Sequence, residues 1–206
     1  MNDSELETDE SLVRRCQAGD NIAFDCLTRR YQKLVFRLIY RIVGENANIE
    51  DIAQEVFLRA YKGLHKFRGD AAFSTWLTRI TVNYCLKVLN RRQREPLLER
   101  LMTSLISCQK EPTQQSAVEL QEQRAIVEDA LEQLSPKHKA VTVLLYFEER
   151  SCEEIAEILG CSVGTVKSRL YHARIKLKKL LSPYFFEGEW NLRADSEKSG
   201  DCVSTL

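Results

Sequence analysis

Phe67, Phe73, Trp76 and Tyr84 interleave with Arg68, Arg79, Lys87, Arg91 and Arg92 in the segment FRGDAAFSTWLTRITVNYCLKVLNRR, which has Asn83 near its centre. Aromatic faces beside cations suit an unstacked nucleic-acid strand. Each base stacked on a ring contributes about 1–3 kcal/mol, while the cations track the phosphates. Asn83 carries the donor and acceptor needed to bond the edge of a base turned out of its duplex. In a helix, Arg79, Asn83, Lys87 and Arg91 recur every four residues and form one polar stripe. Leu77, Ile80, Tyr84 and Val88 fall on other faces and are expected to pack on the preceding helices. The plainer alternative makes Phe73 and Trp76 core residues and the arginines a solvated face.

A second chemistry sits in SCEEIAEILGCSVGTVKSRLYHARIKL, residues 151–177. Ser151 and Glu154 have capping-box spacing, Gly160 ends the first short helix, and Ser162 caps the next. Val166, Leu170, Ala173 and Leu177 form the apolar stripe of that second helix. Thr165, Lys167, Ser168, Arg169, Tyr171 and His172 lie off it. This is the pattern of a helix-turn-helix whose second helix enters a major groove. Lys167, Arg169, Arg174 and Lys176 are expected at phosphates, and Ser168, Tyr171 and His172 at base edges. A helical hairpin with a solvated basic face is the alternative.

Catalysis finds little support. Asp51 and Glu55 share one helical face, but no third acid or histidine joins them nearby, and no activated nucleophile is evident. Neither a cofactor nor a metal is expected. The seven cysteines are scattered, odd in number and never spaced C-x-x-C, which argues against a disulfide framework or a zinc knuckle and for buried free thiols.

The elements that must position these side chains are all helical; no strand alternation survives. Residues 21–43 place Leu27, Tyr31, Leu34, Leu38 and Ile42 on one stripe between Asp20 as cap and Gly44 as stop. Asn48 and Asp51 open a helix with Ile52, Val56, Ala60 and Leu64 at four-residue steps. After the turn Arg68-Gly69-Asp70, a further helix is expected from about Ala72 to Arg92. Periodicity then fails through Pro96 and Pro112, as in a linker. Leu120, Val127, Leu131 and Leu134 face one way on an acidic helix, and Ser135-Pro136 starts another. The expected fold is all-α: two helical domains on a flexible linker. Its divisions are an acidic extension at 1–10, a first domain at 11–93, a linker at 94–116, a second domain at 117–182 and a tail at 183–206.

Charge agrees with two contacts to a polyanion. The totals balance at 30 basic and 30 acidic residues, but residues 59–94 hold nine basic residues and one acid, and residues 163–181 hold six and none. No run reaches the 18 or so apolar residues of a membrane span, and the acidic N-terminus is unlike a signal peptide, so an intracellular chain without membrane insertion is expected.

Three motifs, DIAQEVFLRAY (Asp51–Tyr61), FRGDAAFSTWLTRITVN (Phe67–Asn83) and EEIAEILGCSVGTVKSRLYHARIKLKKLL (Glu153–Leu181), occur in an order that resembles the extracytoplasmic-function, or group IV, sigma factors of bacterial RNA polymerase. The resemblance spans about Ser11 to Leu181. It implies a cytoplasmic, non-catalytic initiation subunit with domains equivalent to sigma regions 2 and 4. Asp51, Gln54, Glu55 and Phe57 would dock on the β′ clamp helices of core RNA polymerase. Phe67, Arg68, Phe73, Trp76, Arg79, Asn83, Lys87 and Arg91 would capture the non-template strand of the −10 promoter element, with Asn83 lining a flipped-base pocket. The helix-turn-helix would read duplex promoter DNA at −35, and the linker would run towards the polymerase active-site channel. An anti-sigma factor, membrane-bound in many cases, is implied as a further partner. His172 departs from the arginine frequent in relatives, which bears on base preference. Two rivals remain: a dimeric, effector-binding helix-turn-helix regulator and a DNA-processing enzyme. The first leaves Phe67–Asn83 unexplained, and the second lacks a catalytic centre.

Overall fold

The computed structural model describes residues 7–45, 47–94 and 118–184, which fall in two compact units. The expected linker, apart from Arg94, and the expected tail, apart from Pro183 and Tyr184, lie outside the described residues. Each described unit is helical, and no strand occurs among the described residues.

In the first unit, α1 (Asp9–Gln17) begins where the Thr8 hydroxyl accepts the Ser11 N–H, two residues ahead of the expected domain start. Asp20 caps α2 (Asn21–Val43) by accepting from the N–H groups of Ile22 and Ala23. Arg15 donates to the same Asp20 carboxylate from Nε at 2.9 Å and Nη2 at 2.7 Å, which fixes the end of α1 to the start of α2. Asn48 caps α3 (Ile49–Gly63), a 3-10 turn follows at Leu64–Lys66, and α4 covers Phe73–Arg94. Gly44 ends α2 at φ 90°, a conformation that costs glycine little. α2 packs against α1, α3 and α4, and α3 packs against α4.

Leu27, Leu38 and Ile42 are buried on α2 as expected, and so are Ile52, Val56, Ala60 and Leu64. Tyr31 and Leu34 are only half-buried; Val35 and Ile39 take the interior positions. Tyr31 stays at the edge because its hydroxyl donates to Asp9. On α4, Leu77 is buried as expected, but Ile80, Tyr84 and Val88 are half-buried. Thr78, Thr81, Val82 and Cys85 face the core instead. Thr81 tolerates this because its hydroxyl donates to the Leu77 carbonyl at 2.9 Å within the same helix, leaving its methyl to pack.

The second unit contains α5 (Val118–Glu132), α6 (Pro136–Tyr146), α7 (Cys152–Leu159) and α8 (Val163–Leu181). Ala130, Leu131 and Leu134 pack on Ala173, Leu177 and Leu181, with half-buried Val127 against them. Leu120, expected on the same stripe, lies outside the described side chains. Ser135 caps α6 with Pro136 in its first turn, as the sequence predicts. Lys139 on α6 is 4% exposed, and its ammonium donates to Glu132 Oε1 at 2.8 Å. A buried ammonium needs such a partner.

Among the described cysteines, only Cys85 is buried as expected; Cys16, Cys26, Cys152 and Cys161 are half-buried. Burial pushes the Cys85 thiol up to about 12 and the Cys16 thiol up to about 11, which keeps both protonated and unreactive at neutral pH. No described helix is long and apolar enough to cross a membrane. No group of three or more metal-ligating side chains occurs among the described residues.

Candidate nucleic-acid interface

The aromatic surface of the first unit is built from α4 and the turn before it. Trp76 lies 5.0 Å from the Phe67 ring and 5.6 Å from Phe73, centroid to centroid, and Phe73 lies 5.3 Å from Tyr31. The indole rests on Gly63, where an added Cβ would stand 3.2 Å from Trp76 Cζ2. Gln17 on α1 donates its amide to the carbonyls of Leu64 and Phe67 at 3.0 and 2.9 Å and so fixes the turn carrying Phe67. Sequence reasoning missed Gln17, whose partners lie about fifty residues away in the chain.

Phe73 is 5% exposed, so its ring cannot offer a face to a base; it is a core residue that supports Phe67 and Trp76, both half-buried. Of the two readings of Phe73 that the sequence offers, its burial favours the core residue. Nothing in single-sequence periodicity separates it from Trp76, because the distinction comes from Tyr31 on another helix. Arg68, Arg79, Asn83, Lys87 and Arg91 are all exposed. The four α4 members fall on one face as the four-residue spacing requires, beside the aromatic cluster at the start of the helix.

On α3, Asp51 and Gln54 are exposed and Glu55 is half-buried. Phe57 is also half-buried. The open apolar surface is instead carried by Leu58 and Tyr61, at 43% and 46% exposure. Tyr61 stacks edge-on against Phe24 at 5.0 Å and donates its hydroxyl to Asn21 Oδ1 at 2.8 Å. Glu55 pairs with Arg59 at 2.7 Å, and the Arg59 guanidinium lies 4.7 Å above the Tyr84 ring. Asp51 accepts from the Asn48 side chain at 2.5 Å, so part of its acidity serves the helix start.

In the second unit the short helix α7, the turn and the longer α8 form as read. Ser151 accepts the Glu154 N–H at 3.1 Å, and Glu154 accepts the Ser151 N–H at 2.9 Å. The Ser151 N–H, followed by Arg150, holds the Glu154 carboxyl below the usual carboxylate range. Gly160 takes the left-handed conformation, φ 61° and ψ 43°, which turns the chain into α8. Ser162 accepts the Thr165 N–H at 3.2 Å, and the two hydroxyls lie 2.9 Å apart, so Thr165 belongs largely to the cap.

Ser168, Tyr171 and His172 are exposed on α8, with Tyr171 at 62%. Val166, Leu170, Ala173 and Leu177 are buried beneath them. Lys167 and Arg169 flank this face half-buried, with Arg169 Nη1 3.8 Å from Cys161 Sγ. Arg174 donates to the Tyr146 hydroxyl at 2.8 Å, and Lys176 donates to the Gln133 carbonyl, so each spends a donor on the fold. Ile175, 52% exposed, and His138, whose ring lies 6.2 Å from that of His172, were not singled out from the sequence.

Two helical units, one with cations beside half-buried rings and one with a helix-turn-helix, define a subunit of the sigma-70 class. Residues 27–95 match the family profile of Sigma-70 region 2, and residues 124–177 match that of Sigma-70, region 4. RNA polymerase sigma-H factor of Pseudomonas aeruginosa is 36% identical over 188 residues, covering 88% of this chain and 97% of the relative. ECF RNA polymerase sigma-E factor of Escherichia coli (strain K12) is 37% identical over 187 residues, covering 87% and 97%. Among solved structures, CnrH in complex with the cytosolic domain of CnrY superimposes with TM-score 0.61 at 25% identity, over 87% of this chain and all of that one. The sigma factor RpoE in complex with the anti-sigma factor NepR from Bartonella quintana shares the fold, with TM-score 0.59 at 24% identity over 79% and 98%. The chain belongs to the extracytoplasmic-function sigma factors, as its motifs lead one to expect.

Proposed function

We propose that this sigma factor joins core RNA polymerase, recognises promoter DNA at −35 and −10, and opens it for initiation, without catalysis of its own and in the cytoplasm. In this reading residues 11–93, extended back to Asp9, bind polymerase and the −10 strand, residues 94–116 link, and residues 117–182 read −35. The segments 1–10 and 183–206 carry no assigned role.

One observation supports the −10 assignment above the others: Arg79, Asn83, Lys87 and Arg91 are all exposed on one face of α4, at whose start Phe67 and Trp76 keep partly open rings. Arg68, Arg79, Lys87 and Arg91 would follow the phosphates, Phe67 and Trp76 would stack on bases, Asn83 would bond a flipped base, and Phe73 would position the two rings. At −35, Ser168 and Tyr171 would meet base edges, with Lys167 and Arg169 at phosphates and His172, expected at a base edge, facing the phosphate side next to His138. Arg174 and Lys176 would brace α8 against α6 and α5, and Thr165 would hold its N-terminal cap. Docking on the β′ clamp helices would use Asp51, Gln54, Glu55 and Phe57, enlarged by Leu58 and Tyr61. Family membership supports an anti-sigma factor as a further partner, and CnrH, similar to this chain, is solved with the cytosolic domain of CnrY.

Run-off transcription tests the proposal. Sigma-free core polymerase of the source organism is incubated with its fragmented DNA, with and without this protein. New protein-dependent transcripts are expected, and their starts define both promoter elements. Silence from a core that responds to another sigma factor would overturn the reading in favour of a duplex-binding regulator.

A further inference from the structure

Two of the chain's three histidines come together from different helices of the second unit. His138, near the start of α6, and His172, on the exposed face of α8, lie with centroids 6.2 Å apart and planes inclined by 20°. Tyr171 meets His172 edge-on at 5.5 Å. His138 is half-buried and His172 exposed, so an incoming group can reach both rings.

The surroundings select the sign of that group. Burial, then His172, Arg169 and Lys176 on α8, hold the His138 imidazole below its ordinary range. On α6 itself Lys137 is exposed, while Lys139 is committed to Glu132 of α5. Lys176 also donates to the Gln133 carbonyl at the end of α5. The groups acting on His138 are therefore cationic or able to become so, and Glu132 is already engaged. A metal cation is disfavoured there. An anionic oxygen is favoured, because it accepts from protonated rings and offsets the crowded charge.

We propose that His138 and His172 form a joint contact for a phosphodiester group of the DNA duplex beside the reading helix, and that this contact takes up a proton on binding. It rests on the reading of α8 as the −35 helix and adds α6 to that surface. The sign follows from linkage. A nearby phosphate favours the charged imidazole, so the bound form holds more protons than the free form. Affinity for the duplex then rises as pH falls through the bound-state titration of the pair.

The experiment uses the full chain assembled with core polymerase and a promoter duplex identified by run-off transcription. Binding is measured by fluorescence anisotropy at about pH 6 and about pH 8, within the histidine range. The proteins are the wild type, His138→Gln, His172→Gln, the double variant, and His65→Gln as a control in the first unit. The wild type should gain up to about tenfold more affinity on acidification than the double variant, as expected for a one-unit rise on binding. Each single variant at 138 or 172 should lose most of that gain, and His65→Gln should keep it. The salt slope should steepen by about one at the lower pH only where both histidines remain. Equal pH dependence in wild type and double variant would overturn the proposal. Lys167→Ala and Ser168→Ala, measured in parallel, separate the two levels. Unchanged duplex affinity in both would sink the −35 reading itself, and lowered affinity with no histidine-dependent pH effect would sink only the phosphate contact.

Discussion

Trp76 and Tyr171 are both aromatic, both near cations and both on long helices, yet their surroundings differ. Trp76 is half-buried on α4, pressed over Gly63 and wedged by Phe73 and by Phe67, whose turn is fixed from α1 by Gln17. Tyr171 stands 62% exposed on α8, touching the exposed His172. A ring held by other rings has little rotamer freedom left to lose when a base stacks on it. A ring on an open helix face can adjust to a groove but pays more entropy in doing so. The contrast fits a first unit preorganised for unpaired bases and a second that presents a helix to an intact duplex.

Core truncation should break the comparison most severely. Leu77 and Leu170 are 0% and 3% exposed beneath the two surfaces. Leu77→Ala and Leu170→Ala should each cost about 2–5 kcal/mol in chemical denaturation, the first in the unit that carries Trp76 and the second in the unit that carries Tyr171. A loss well below this would mean that the helices do not bury these leucines in solution. Next in size, Phe57→Ala should weaken core-polymerase binding about tenfold, which corresponds to about 1.4 kcal/mol for one interface anchor. Unaltered affinity in a titration with core enzyme would remove Phe57 from the docking surface and leave Leu58 and Tyr61 to test.

Ser151→Ala should cost about 1 kcal/mol by deleting the helix cap, and its effect should be confined to the second unit. The same box gives a pH dependence. Glu154 titrates below its unfolded value, so its contribution is complete above that unfolded value and is lost as pH falls through the lowered one. Wild type should therefore lose more stability on acidification than Glu154→Gln; parallel curves would exclude the carboxylate. Asn83→Ala should slow promoter opening about fivefold, near the 1 kcal/mol of one hydrogen bond, with polymerase binding unchanged. Permanganate footprinting would detect this, and unchanged opening would take Asn83 out of the pocket. The smallest effect belongs to Lys167→Ala: lower affinity across sequences and a salt slope reduced by about one. A change in base preference instead would move Lys167 from phosphate to base.

Much of the second unit was legible residue by residue. Ser151, Glu154, Gly160 and Ser162 act on groups within about four positions of themselves, and all took their expected places. The first unit was legible in the caps of α2 and α3 and the stop of α2, and less so in its faces. α1 went unnamed as an element because its nine residues are short for periodicity, although Leu12 is fully buried. Tyr31 and Leu34 slid off the core stripe of α2, and Phe57 turned half inward, because neighbouring helices decide which part of an amphipathic arc is covered. His138 carried no local signal, since its partner His172 lies on another helix.

The sequence by itself determined the helices after α1, most of their caps and stops, the two basic blocks and the motifs of the family. These depend on hydrogen bonds within a turn, on a repeating period and on the order of residues along one chain. Only the tertiary structure decided that Phe73 is core while Trp76 keeps an open face, that Thr78, Thr81 and Lys139 are buried, and that Arg174 and Lys176 serve the fold before any ligand. Burial and pairing are properties of two surfaces meeting. The second surface, in each of these cases, comes from a different helix.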